Sequence, residues 1–328
     1  MKKDELLNYQ PVLTKLFSSS KKKERLANAY LLFGEENAPL KETALALAKM
    51  INCKEDDIFC DKCISCSKYD NLSASDFLLI DGKKEIIKKE QIKRLEDFFS
   101  MSALEKNHHP VYIINNVENI TAEAINSLLK FLEEGKNEVI ALLTTNNREK
   151  VLKTILSRCV KVTVNPLPYN IFESSLLNQE ITIKDNRIIF DRQLIKTLYP
   201  FYSCRETLLS DLSEDESFFK AYELYPYLLS SLAVSIDNFT FFILREIQLN
   251  SDNKCYNWLF LLLRNSFVKI LYKEIDEDAF SSELSKIKSR GYNIENALRE
   301  INRILSLSRI NPSITLNFLK VADKLKGD

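Results

Sequence analysis

Short apolar runs alternate with amphipathic stretches through the first half of the chain. Tyr30–Phe33, Phe77–Asp81, Val111–Ile114, Val139–Thr145 and Val160–Val164 are each bounded by polar or turn-forming residues. Runs this short and this uniformly apolar predict strands buried on both faces, as in parallel sheets covered by helices. Between them, apolar positions recur at helical spacing over Leu40–Ile51, Glu90–Leu104, Thr121–Glu134 and Lys150–Leu156, and a further helix is expected at Glu5–Phe17. In Thr121–Glu134 the residues Ile125, Leu128, Leu129 and Leu132 fall at i, i+3, i+4 and i+7, with Thr121 placed to cap the start and Gly135 to stop the end. The pattern describes an α/β domain built on a parallel sheet.

The alternation stops at "VNPLPYN", where Pro166 and Pro168 stiffen a junction. Beyond it nearly everything reads as helix: a small segment to about Leu212, then a longer one rich in leucine and aromatic residues at helical spacing. Trp258 and its neighbours fit the core of a helical bundle. The expected organisation is an α/β domain over residues 1–165, a small helical domain over 166–212 and an all-α domain over 213–328.

Composition narrows the classes. The 328 residues suffice for two or three domains, and 46 basic residues balance 46 acidic ones, so no global field marks a nucleic-acid coater or a polybasic membrane binder. The opening "MKKDELLNYQ" lacks the apolar core of a signal peptide, and no run reaches the roughly 18 apolar residues of a membrane span. A cytoplasmic protein without a membrane partner is expected. The lysines of "GKKEIIKKEQIKR" form a local basic stretch, either a solvated face or a contact for a phosphate backbone.

Four of the seven cysteines crowd together. Cys53, Cys60, Cys63 and Cys66 form a C-x6-C-x2-C-x2-C array, and such turns present paired sulfurs to one tetrahedral metal. Four thiolates make a closed, structural Zn²⁺ site; an iron–sulfur cluster or unligated redox cysteines are the other readings. Cys159, Cys204 and Cys255 stand alone and read as small buried hydrophobes, while His108 and His109 read as surface or turn residues.

"LLFGEENAPLKETALALAKM" has the outline of a phosphate-binding strand–loop–helix without its chemistry. A phosphate loop needs G-x-x-x-x-G-K-[ST], yet counting from Gly34 the last three positions are Pro39, Leu40 and Lys41. If Lys41 were shifted into place by one residue, Glu42 would oppose the anion it should help to hold. The neighbouring strand end offers Asn115 and Asn116 where a nucleotide hydrolase keeps carboxylates, and amides supply neither charge for Mg²⁺ nor a useful base. Glu118 lies too late and reads as an exposed carboxylate.

The degraded loop at Gly34 and Lys41, the four-cysteine insert after the first sheet helix, "INSLLKFLEE" and "ILSRCVKVTVNPLP" together resemble the delta-prime branch of the clamp-loader subunits of bacterial DNA polymerase III, within the AAA+ superfamily. The likeness spans about Asn28 to Pro168. It implies a P-loop-like AAA+ sheet domain with a zinc insert, a helical lid and a helical collar that joins other subunits. In that family the arginine of "SRC", here Arg158, reaches across a subunit interface to a neighbour's ATP. Thr144, Thr145 and Asn146 align with a polar nucleotide sensor, and Arg205 with a lid arginine. A planar, permanently charged guanidinium suits that trans role. The resemblance thus implies a non-hydrolysing member of a ring with gamma/tau and delta subunits that helps place the sliding clamp on primer-template DNA. It binds Zn but no ATP of its own. The competing readings are an ATP-hydrolysing gamma/tau-like subunit and a zinc-stabilised binding module unconnected with replication.

Overall fold

The computed structural model describes residues 1–101, 109–134, 139–183, 186–247, 253–275, 280–307 and 313–326. The chain forms two compact units. The first comprises Met1–Ser174 and Phe201–Thr207; the second comprises Ser175–Pro200 and Leu208–Asp328.

The first unit is organised by five parallel strands: β1 (Ala29–Phe33), β2 (Phe77–Asp81), β3 (Val111–Asn115), β4 (Ile140–Thr145) and β5 (Val160–Thr163). Their spatial order is β2-β3-β4-β1-β5. Because side chains alternate along a strand, successive residues feed two separate cores. Tyr30, Leu32, Val111, Ile113, Ile140 and Leu142 enter one cluster, which α2 (Pro11–Lys22) and α3 (Leu40–Asn52) complete. Ala29, Leu31, Tyr112, Ile114, Ala141 and Leu143 enter the other, against α5 (Lys89–Met101) and α6 (Ala122–Glu134). Burial on both faces explains why β1, β3 and β4 show no polar alternation; the edge strand β5, expected to be buried as well, alternates as Val-Lys-Val-Thr and buries only Val162.

The order also fixes the place of chemistry. Strand β1 lies between β4 and β5, while the chain from β1 crosses to β2 at the far edge. This is a switch point, and ligands of open α/β sheets bind beyond the carboxyl ends of strands at such points. Register brings Asp81 opposite Asn115, and Phe33 opposite Thr145.

Several expected elements shift for local reasons. The helix expected at Glu5–Phe17 is two helices, α1 (Lys3–Tyr9) and α2, because Pro11 disfavours helical geometry at Gln10 and then serves as the first residue of α2. The helix expected at Lys150–Leu156 is a 3₁₀ turn at Arg148–Lys150 followed by the short α7 (Lys153–Leu156). Thr121 does cap α6, its Oγ1 accepting the Ala124 N–H at 3.3 Å. The end of the Glu90–Leu104 helix beyond Met101, Gly135 and His108 lie outside the described residues.

The segment expected to be a small helical domain over 166–212 also contains strands. Between α8 (Tyr169–Leu176) and α9 (Arg192–Leu198) lies an antiparallel pair, β6 (Glu180–Ile183) and β7 (Asn186–Ile189). Its signal was present in the alternation of "EITI" and the turn-forming "KDN".

The second unit continues through α10 (Arg205–Glu214), which begins in the first unit, and α11 (Ser217–Val234) to α12 (Ile236–Phe242), with a π-helical turn at Ile243–Ile247. It ends with α13 (Asn253–Tyr272), α14 (Ser281–Ser289), α15 (Ile294–Leu307) and α16 (Ile314–Lys326). Helix α11 packs on α13 and α14, and α15 joins α13 to α16. Trp258 meets Phe218 edge to face at 5.2 Å, and Phe260 stacks on Phe318 at 4.0 Å, so the aromatic residues form a bundle core. Among the described residues no helix is long and apolar enough to cross a membrane.

Candidate functional site

At the carboxyl end of β1 the chain packs closely on Gly34. A Cβ on Gly34 would stand 2.4 Å from the Val164 carbonyl oxygen and 2.7 Å from the Ala38 Cβ, so only glycine fits there. The close approach that glycine normally offers a ligand is used by the protein itself. The loop's N–H groups are likewise engaged: Ala38 donates to the Glu35 carbonyl at 3.0 Å and Leu40 to the Ala38 carbonyl at 2.8 Å. Pro39, between them, has no N–H to give. The Asn146 amide donates to the carbonyls of Glu35 and Glu36 at 2.9 and 3.3 Å, pinning the outer turn.

Lys41 turns to a carboxylate. Its Nζ lies 2.8 Å from Asp81 Oδ2, and Asn115 Nδ2 donates to Asp81 Oδ1, also at 2.8 Å. Thr144 Oγ1 donates to Asn115 Oδ1 at 2.7 Å and accepts the Asn116 N–H at 3.1 Å. Burial alone would push the Asp81 carboxyl up; the hydrogen bonds from Lys41 and Asn115 outweigh it and hold the group below its usual range. Lys41, Asp81, Asn115 and Thr144 therefore satisfy one another. Asn116 adopts a left-handed backbone, φ 52°, and its amide donates to Asn146 Oδ1 at 3.2 Å and to Glu118 Oε1 at 3.3 Å. Glu118, expected to be exposed, is half-buried in a 3₁₀ turn.

Glu42 pairs with the Thr207 hydroxyl, and Ser203 Oγ donates to the Asn37 carbonyl at 2.7 Å while accepting the Leu167 N–H at 3.0 Å. The loop thus holds the 201–207 segment directly. Arg205 begins α10 two residues before Thr207. Cys204, buried, donates its thiol to Glu206 Oε2 at 2.9 Å. Cys159 is also buried, its thiol pushed up to about 11 by desolvation, and Cys255 is buried in α13.

Arg158 occupies a different setting. It follows α7 and precedes β5 on the surface, with Nη1 donating to the Thr154 carbonyl at 2.9 Å and Nη2 paired with the Glu133 carboxylate. Cys159 beside it is buried, so the turn is anchored while the arginine projects.

The four cysteines converge at the other end of α3. All four Sγ atoms lie within 4.8 Å of one another, and those of Cys53 and Cys63 are 4.0 Å apart. Thiolates at about 2.3 Å from a tetrahedral zinc have sulfurs about 3.8 Å apart, so the donor set fits that ion. Cys60 Sγ accepts the Cys63 N–H at 3.2 Å, and Cys63 Sγ accepts the Cys66 N–H at 3.4 Å at the start of α4 (Ile64–Asp70). Hydrogen bonds to the Cys60 sulfur lower its thiol to about 7, while burial raises Cys63 and Cys66. The buried Lys49 bridges Asp61 at 2.6 Å and Asp70 at 3.0 Å and lies over the Phe59 ring, tying both ends of the module to α3. Lys21 Nζ donates to the carbonyls of Met50 and Cys53.

The basic stretch after β2 is exposed at Lys83, Lys84, Lys88, Lys89, Lys93 and Arg94, with Lys83 over the Tyr202 ring. His109 sits half-buried, its N–H donating to Asn52 Oδ1.

With this geometry in view, comparison with known proteins is informative. Residues 9–168 match the family model described as DNA polymerase III, delta subunit. Those residues, just under half of the chain, are similar to this family. The chain is 36% identical over 179 residues to DNA polymerase III subunit delta′ of Bacillus subtilis, 54% of this chain and 54% of that protein. It therefore spans about half the length of that relative. It is 28% identical over 324 residues to DNA polymerase III subunit gamma of Buchnera aphidicola subsp. Baizongia pistaciae, 97% of this chain and 79% of the relative. A solved gamma subunit-related protein of Thermotoga maritima aligns with 96% of this chain and 98% of its own at 19% identity, with a TM-score of 0.48. The family model covers the part of the chain that carries the sheet, the cysteine module and Arg158, whereas the gamma-subunit likeness runs along nearly the whole chain.

The sequence did not reveal Asp81, Glu133, Lys49 or Thr207 as members of these arrangements. Asp81 had a readable signal: it ends an apolar run as Asn115 ends another, and parallel strand ends converge. Lys49 had one too, as a lone cation inside the apolar "ALALAKMIN".

Proposed function

We propose that this chain is a clamp-loader subunit of DNA polymerase III that does not hydrolyse ATP and instead presents Arg158 to the nucleotide of a neighbouring ATPase subunit. The observation that carries this reading is the closed relay from Lys41 through Asp81 and Asn115 to Thr144. Binding ATP with Mg²⁺ here would require Lys41 to leave Asp81, the turn around Gly34 to reopen, and two amides to replace carboxylates. Arg158 meets none of these obstacles, and a guanidinium can stabilise charge developing on a transferred phosphoryl group. Its partners in this reading are gamma/tau and delta subunits, and through the ring the sliding clamp and primer-template DNA. Residues 166–212 serve as lid and 213–328 as collar. Cys53, Cys60, Cys63 and Cys66 hold a structural Zn²⁺, which stabilises the module and leaves catalysis to the neighbour.

The test is ATP turnover by the reconstituted complex and by the isolated chain. An inert isolated chain, with complex turnover cut tenfold or more by Arg158→Ala, supports the reading. Turnover by the isolated chain that disappears in Lys41→Ala would instead establish a gamma-like ATPase, a reading favoured by the similarity to a gamma subunit along nearly the whole chain.

A further inference from the structure

We propose that Glu133 is the resting partner of Arg158, a latch that holds the guanidinium in the free subunit and is exchanged for phosphate oxygens when a neighbour docks. The inference rests on the trans role assigned to Arg158 above. Glu133 lies in the last turn of α6 (Ala122–Glu134), where the negative end of the helix dipole disfavours a carboxylate. A cation beside it removes that penalty, and Arg158 Nη2 supplies one.

The two contacts of the guanidinium differ in kind. In the single-turn helix α7 the Lys153 and Ile155 carbonyls accept the N–H groups of Ser157 and Arg158 at 2.9 and 3.1 Å, while the Thr154 carbonyl accepts side chains, Ser157 Oγ at 3.0 Å and Arg158 Nη1 at 2.9 Å. That pair of bonds is neutral at the acceptor and internal to the turn, and it keeps the side chain aimed outward. The Glu133 contact is ionic, spans 25 residues, and leaves both groups partly in water, with side-chain exposures of 35% for Arg158 and 54% for Glu133. Exposed ion pairs of this sort stabilise weakly, so exchange costs little. A phosphate carries more charge than the carboxylate and matches the guanidinium fork in two places. Nη2 can therefore pass from Glu133 to phosphate while Nη1 stays on Thr154. The carboxylate prevents the free subunit from offering an unpaired arginine to any passing polyanion, and it keeps the side chain in the geometry the neighbour needs.

Two measurements separate the latch from the reading beneath it. In the isolated chain, ¹⁵N-detected NMR of the arginine guanidinium groups, assigned with Arg158→Lys, should show slowed rotation at Arg158 that is lost in Glu133→Gln. An unchanged Arg158 signal overturns the latch whatever Arg158 does in the complex. In the assembled complex, Glu133→Gln should lower the KM for ATP by about two- to fivefold, the range an exposed ion pair supplies, with kcat nearly constant. The effect should vanish in an Arg158→Ala background. If Arg158→Ala cuts turnover while Glu133→Gln moves neither KM nor kcat, the latch is wrong and the trans arginine stands. If Arg158→Ala changes nothing, the trans arginine is wrong, and the latch falls with it.

Discussion

Lys41 and Arg158 belong to the same unit, and each is paired with a carboxylate, yet their settings are opposed. Asp81 is 14% exposed and is held by an asparagine that is itself held by a threonine, so Lys41 closes a relay. Glu133 stands in solvent and has no such backing among the contacts of Arg158. Under the proposed function the first is a retired site and the second a working one, and charge alone does not tell them apart. What distinguishes them is whether the partner's remaining hydrogen-bonding capacity is already spent inside the protein, because replacing a satisfied buried network costs far more than replacing a hydrated one.

The sharpest way to break this comparison is to remove each cation in turn from the assembled complex. Arg158→Ala should cut turnover at least tenfold, about 1.4 kcal/mol of barrier, whereas Lys41→Ala should leave turnover close to that of the native complex. Steady-state ATPase rates at saturating nucleotide read both. Equal losses from the two substitutions would mean that the loop is still a working nucleotide site.

Much of this contrast was legible in the sequence, and the part that was not has a physical cause. The absence of loop chemistry at Pro39 and Leu40, the amides at Asn115 and Asn116, and the spacing of the cysteines are local facts, visible in a few adjacent letters. So are the central sheet strands, since burial on both faces leaves an unmistakable apolar run. Asp81 and Glu133 were invisible as partners because they lie 40 and 25 residues from the cations they hold. Strand order and helix length, not local pattern, bring them together. The β6–β7 pair was missed for another reason: its four-residue strands fell within a stretch read for helical spacing. The break at Gln10 shows the reverse failure, an apolar period continued straight through a proline that local geometry does not permit.

The two ends of α3 extend the comparison. The helix begins at the closed loop and runs into Cys53, so loss of metal asks whether the loop is held by the helix or by Asp81. Cys66→Ser should abolish binding of about one zinc per chain and destabilise the module by roughly 3 kcal/mol, the scale of losing a structural metal ligand at a buried site. Metal analysis and hydrogen exchange should show protection lost across residues 53–73 and retained at 34–42. Loss in both places would make the loop a dependant of the metal.

A smaller effect is expected from the relay itself. Asp81→Ala leaves Lys41 and Asn115 without their acceptor and should cost about 1–3 kcal/mol, less than a fully buried pair because the Lys41 side chain is 29% exposed. The pH dependence has a definite sign. A carboxyl lowered in the folded state contributes stability above its unfolded pKa of about 3.9, and that contribution is lost as pH falls through the lower folded value. Urea midpoints measured from about pH 5 downward should therefore decline less steeply in Asp81→Asn than in the native protein. An identical acid limb would show that Asp81 gains nothing from Lys41.

The smallest expected effect falls on the outer turn. Asn146→Ala removes two hydrogen bonds to the carbonyls of Glu35 and Glu36 and the one accepted from the Asn116 amide, all at the surface, so water replaces them readily. The cost should be near 1 kcal/mol and appear as faster exchange at residues 35–38, with the unfolding midpoint almost unchanged. If the loop opens no further than that, with Gly34 still filled by Val164 and Ala38 and Lys41 still on Asp81, added ATP should leave its exchange rates unaltered. Protection by ATP in this variant alone would identify Asn146 as the residue that excludes nucleotide, and the relay would then be a consequence of closure rather than its cause.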